Sequence, residues 1–99
     1  MIRGTTPTHI YTLPFDVNLI DKLRIIYNQN GRTILTKSEE DCTLTENVAT
    51  TRLTQKDTLA FATTALVEIQ LRILTKSGDA LASDVFTVMA ERCLSEEVL

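Results

Sequence analysis

Between Leu66 and Leu74 the chain reads LVEIQLRIL: Val67, Ile69, Leu71 and Ile73 alternate without a break against Glu68, Gln70 and Arg72. Successive side chains of a strand point to opposite faces, so this run writes one apolar face and one wet face. Thr75-Lys76-Ser77-Gly78-Asp79 follows with turn chemistry, and a second long alternating run begins near Leu81. The pair predicts a hairpin with one buried side, the unit of an antiparallel sheet.

The rest of the chain punctuates in the same way. Thr8 to Leu13 reads as a first strand between Pro7 and Pro14, each of which lacks an N–H and sits best at a strand end. From Phe15 to Asp21 the pattern is mixed. Asp16 can cap one helical turn carrying Val17, Leu19 and Ile20. The spacing Val17, Ile20, Leu23 also permits a helix reaching Tyr27, but the β-branched pair Ile25-Ile26 favours a turn followed by a strand Lys22–Gln29. Asn30-Gly31 is the strongest hairpin signal, because both residues tolerate the positive φ of a type I′ turn. Arg32–Lys37 is then the return strand, and Ser38-Glu39-Glu40-Asp41 a polar break. Cys42-Thr43-Leu44 and Val48–Leu53 are expected as short strands around a turn at Glu46-Asn47. Thr54-Gln55-Lys56-Asp57 fits a capping box over one helical turn, with Leu59 and Phe61 plugging the end of the core. Phe61 to Ala65 is expected as a loop. The last strand is expected from Leu81 to Leu94, apolar on both faces and therefore covered on both sides. Val85, Thr87 and Met89 share one of its faces, and Phe86, Val88 and Ala90 the other. Six or seven short strands with turn signals near every ten residues predict a sandwich or barrel.

Ninety-nine residues suffice for one domain, taken as residues 1–94 with a short acidic tail at 95–99. A chain of this length can bury roughly 65% of its unfolded surface without a metal or disulfide staple. Sixteen threonines suit half-buried pleated surfaces. The net charge is −3 with no run of Lys or Arg, which argues against nucleic acid as a partner. No apolar run approaches the ~20 residues of a membrane span, and the polar Met1–Thr6 lacks a signal-peptide core. Synthesis in the cytoplasm is the expectation.

Site chemistry is sparse. His9 is the single histidine, and a catalytic triad would need a nucleophile and an orienting acid beside it. Glu39-Glu40-Asp41 could offer oxygen ligands to Ca²⁺ but lacks EF-hand spacing, so a solvated loop is expected. Asp79 and Asp84 are read in the same way. Cys42 and Cys93 form no CxxC and are expected as small packed thiols, with a disulfide between them as the alternative that a cytosolic origin disfavours. No phosphate loop, dinucleotide fingerprint or zinc pattern occurs, so neither cofactor, metal nor enzymatic activity is expected. Glu68, Gln70 and Arg72 form a solvated sheet face that could serve in docking. Phe86 and Val88 on the last strand are the stronger candidates for partner contact.

The order of several segments carries a resemblance. Arg3-Gly4-Thr5-Thr6-Pro7-Thr8 opens a strand ending at Leu13-Pro14, and Gln29-Asn30-Gly31 makes the turn. Leu53-Thr54-Gln55-Lys56-Asp57-Thr58 and Val67-Glu68-Ile69-Gln70-Leu71-Arg72 follow. This order resembles small prophage-encoded proteins of Firmicutes and the immunoglobulin-like N-terminal module of phage baseplate upper proteins. The chain is expected to be a lone module without their receptor-binding extension. The resemblance implies an antiparallel immunoglobulin-like β-sandwich of about seven strands with one or two short helical turns. It implies a non-enzymatic structural role in a virion, in the tail, baseplate or neck, with other virion proteins or further copies of itself as partners. The alternative is a soluble phage or bacterial regulatory module that binds a host protein or a small ligand.

Overall fold

The computed structural model describes residues 1–99. Its strands are β1 (Thr8–Thr12), β2 (Ile20–Gln29), β3 (Arg32–Ser38), β4 (Cys42–Thr45), β5 (Val48–Arg52), β6 (Leu66–Thr75), β7 (Ala80–Ala82) and β8 (Phe86–Met89). One short helix, α1 (Gln55–Leu59), and 3₁₀ turns at Val17–Leu19 and Glu39–Asp41 join them. The fold is all-β, with two antiparallel sheets facing each other across one core.

The two longest strands carry the most regular alternation, and they pair with each other. Leu23 lies opposite Ile73, Ile25 opposite Leu71 and Tyr27 opposite Ile69. All six are buried, and together they make one wall of the core. β3 extends this sheet on one side through the Asn30-Gly31 turn, whose φ values of 52° and 74° are those of type I′. β7 and β8 extend it on the other side by pairing with different stretches of β6. The smaller sheet has the order β1-β5-β4 and contributes Ala49 and Leu53 to the core.

The two orders together have a recognisable logic. An immunoglobulin-type sandwich sets strands A-B-E-D against C′-C-F-G. Here β1-β5-β4 takes the places of B-E-D, and β3-β2-β6 with β7/β8 takes those of C′-C-F-G. No strand stands in the place of A, beside β1. The amino-terminal residues instead make a parallel bridge, Ile2 with Glu91, held by Arg3 N–H to Glu91 O (3.0 Å) and Glu91 N–H to Met1 O (2.7 Å).

Local polar bonds fix the crossovers between sheets. Thr54 and Asp57 complete the capping box in both directions, at 3.0 and 2.8 Å. Asp57 also pairs with Lys37 at 2.8 Å, which ties α1 to β3. Phe61 plugs the core as expected, and buried Gln29 secures the loop behind it by bonding Ala62 and Ala65. The tail returns to α1, where Gln55 Oε1 accepts from Leu99 N–H at 2.7 Å.

The last strand departs from expectation. It breaks at Ser83–Val85 and ends at Met89. Ser83 satisfies Leu71 twice, through Leu71 N–H to Ser83 Oγ (3.0 Å) and Ser83 N–H to Leu71 O (2.9 Å). Its hydroxyl then turns to Asp84 O, which interrupts the ladder. Nor is the strand covered on both sides: Leu81, Val85, Phe86 and Met89 are all exposed. The polar break at Ser38–Asp41 also holds a third helical turn, because Asp41 accepts from Ser38 N–H at 2.8 Å.

Ile25 is fully buried at the centre of the β2–β6 wall. Ile25→Ala is expected to cost about 2–5 kcal/mol by leaving a cavity there, read as a lowered urea midpoint. A change under about 1 kcal/mol would show that this wall is not the centre of the core.

Candidate functional site

Strand pairing puts Phe86 beside Ile69 and Leu81 beside Ile73, on the same inner face of the larger sheet. Ile69 and Ile73 are 6% and 8% exposed, whereas Phe86 and Leu81 are 46% and 43% exposed. The cover over β6 therefore stops short of β7 and β8. What remains is an apolar groove of about 700 Å³ between β1 and the β7–β8 edge, lined by no Asp, Glu, Lys or Arg. Small-ligand sites fall in this size range, and open sheet edges accept added strands.

The wall on the β1 side offers backbone as well as side chains. Leu53 N–H donates to Pro7 O at 2.9 Å, and Leu13 N–H donates to Asn47 O at 2.7 Å. With the register Thr8↔Arg52 to Thr12↔Val48, those bonds make the odd-numbered residues of β1 its bonded partners to β5. The N–H and C=O of Thr8, Ile10 and Thr12 therefore point away from β5 along a free edge.

His9, Tyr11 and Leu13 alternate with those residues and face inward. His9 Nδ1 lies 2.9 Å from the Tyr27 hydroxyl, and the Tyr11 hydroxyl lies 3.1 Å from the same oxygen. A neutral imidazole can accept through Nδ1 in one tautomer and donate in the other, so either tautomer satisfies Tyr27. Tyr11 also stacks on Phe86 across the groove, with ring centroids 6.4 Å apart. Burial, and secondarily the amino terminus, holds the His9 pKa below its ordinary value. Burial raises both tyrosines, Tyr27 far above the usual phenol range, and pushes up the Cys42 thiol near them. The cluster is a set of neutral groups bonded to one another, the arrangement a low-dielectric interior favours.

The candidate contact residues divide between two faces. Phe86 and Val88 line the groove. Glu68, Gln70 and Arg72 point out of the other side of the same sheet, where Gln70 Nε2 donates to Ser83 O at 2.9 Å. The five residues cannot form one surface. Glu39 spends its carboxylate on Leu23 N–H (3.1 Å) and Arg24 (2.7 Å), bonds that lower its pKa. No group of three or more His, Cys, Asp or Glu side chains is placed to hold a metal ion, and Cys42 and Cys93 are free thiols. No helix is long and apolar enough to cross a membrane.

Sequence reasoning placed His9 on a strand but not beside Tyr11 and Tyr27. The alternation in THIYTL puts His9 and Tyr11 on one face; only the packing of the sheets brings Tyr27 to them. No family model, curated protein or solved structure matches the chain at a significant level.

The depressed His9 pKa has a signed consequence. The ordinary value is 6.5 and the folded value is lower, so the unfolded chain takes up the proton first as pH falls. The stabilisation is full above 6.5 and is lost as pH drops from there through the folded pKa. The urea midpoint is expected to be lower at about pH 5.5 than at about pH 7.5, with His9→Gln removing most of that difference. Asp57 does not contribute in this interval, because its own depressed pKa confines its effect to below 3.8. An unchanged pH slope in His9→Gln would contradict the packed neutral cluster.

Proposed function

We propose that this chain is a non-enzymatic module that works through protein–protein contacts, and that it serves as a structural component of a phage particle. The observation that carries the contact role is the uncovered inner face at Phe86 and Leu81, next to a β1 edge with free backbone groups. Apolar surface left open beside unpaired N–H and C=O groups suits a polypeptide better than a small molecule, since a polypeptide satisfies both at once. The His9–Tyr11–Tyr27 cluster supports a role without catalysis. Its groups are neutral and engaged with one another, and no carboxylate bonds to the imidazole to orient it.

The particle role rests on the resemblance to prophage-encoded proteins and to the immunoglobulin-like modules of baseplate upper proteins. The groove volume also favours a second reading, a regulatory module that takes up a small apolar ligand.

Gradient-purified particles from an induced host are expected to contain the chain, detected by mass spectrometry in constant ratio to the tail proteins. Its presence only in the particle-free cytosol would contradict the virion role and favour the regulatory one.

A further inference from the structure

We propose that the groove is a slot for one extended strand of another protein, which pairs antiparallel with β1 and lays alternate apolar side chains on Phe86, Leu81 and Val88. This deepens the assembly reading above and rests on it. Three observations define the occupant.

The first is width. The larger sheet carries β7 and β8 beyond β6, while the smaller sheet stops at β1. β1 itself lies over the middle of the larger sheet, where His9 reaches Tyr27 in β2. The space beside β1 and under β7–β8 is therefore the place of one strand, the place of A in an immunoglobulin-type order. A second copy of this chain cannot supply that strand through its own β1. Its own β7–β8 overhang would collide with the overhang already there. The occupant is an arm free of its parent domain.

The second is bonding. Thr8, Ile10 and Thr12 present alternating N–H and C=O groups over the five residues of β1. An antiparallel strand of similar length meets them all. The immunoglobulin-type order sets the direction, because strand A runs antiparallel to B, whose place β1 takes.

The third is charge. With no Asp, Glu, Lys or Arg on the lining, a charged side chain on the inward face of the arm would lose its hydration without gaining a partner. The arm is therefore apolar or Thr-like at every second residue.

The test uses the full chain and a synthetic peptide, acetyl-KTVTVTVTK-amide, followed by residue-resolved amide hydrogen exchange. With saturating peptide, exchange at Thr8, Ile10 and Thr12 is expected to slow at least tenfold, while His9, Tyr11 and Leu13, already bonded to β5, stay unchanged. Ile10→Pro removes one outward N–H that the fold does not use, and an edge strand tolerates it. This variant is expected to keep its thermal midpoint and to lose at least tenfold in peptide affinity. Phe86→Lys, at an exposed position, is expected to do the same. Three results would overturn the proposal: no slowing at millimolar peptide, equal binding by folded Ile10→Pro, or slowing that follows protein concentration without peptide. The second would show a pocket for apolar groups alone, and the third a self-associating edge. If the peptide fails while the chain is found in particles, strand capture falls and the virion role stands.

Discussion

Everything in this fold hangs on the pairing of β2 with β6. Both strands are ten residues long, and both alternate cleanly enough to bury one face and wet the other. Their shared inner row, Leu23, Ile25 and Tyr27 against Ile73, Leu71 and Ile69, is the surface on which the smaller sheet lands. Shifting either strand by one residue would turn the row outward and put Arg24 and Arg72 into the core. Register is thus specified by hydrophobicity, and the positions of β3, β7 and β8 follow from it.

The same pairing creates the one unfinished place in the sandwich. β6 is long enough to hold β7 and β8 one after the other along its far side, so the smaller sheet has three strands to cover four strand positions. The four edges of the two sheets are not equally exposed to adventitious pairing. β3 carries Arg32 and Lys37, and β4 is four residues long and follows an acidic turn. The β7–β8 edge is broken at Ser83–Val85 and met at one end by Met1–Arg3. β1 has no charge, no internal proline and no bulge. Charges, breaks and short length are the devices that protect sheet edges, and β1 lacks those devices apart from its modest length. An edge left without them is open to a partner strand.

Much of this was legible from the sequence because it is local. The strand over LVEIQLRIL, the Asn30-Gly31 turn and the Thr54–Asp57 box each depend on residues within ten positions of one another, and each formed where expected. The end of the chain is not legible in this way, because apolar residues continue through it while the deciding bonds, Ser83 to Leu71, reach across to another strand. The groove was invisible for a related reason. Phe86 and Val88 could be singled out as contact residues, but that Phe86 stays half exposed, with only Tyr11 stacked on it, depends on the number of strands in the opposite sheet. Glu68, Gln70 and Arg72 belong by alternation to the outward face of β6, away from Phe86 and Val88; only the β6–β8 register shows the separation.

The open edge of β1 is the feature on which the proposed contact role and the proposed strand slot both rest, and the free chain alone suffices to examine it. Residue-resolved amide hydrogen exchange on dilute protein should show alternation along β1: fast exchange at Thr8, Ile10 and Thr12, slow exchange at His9, Tyr11 and Leu13. Protection of all six residues alike would mean that the edge is already covered, and would contradict the open slot beside it.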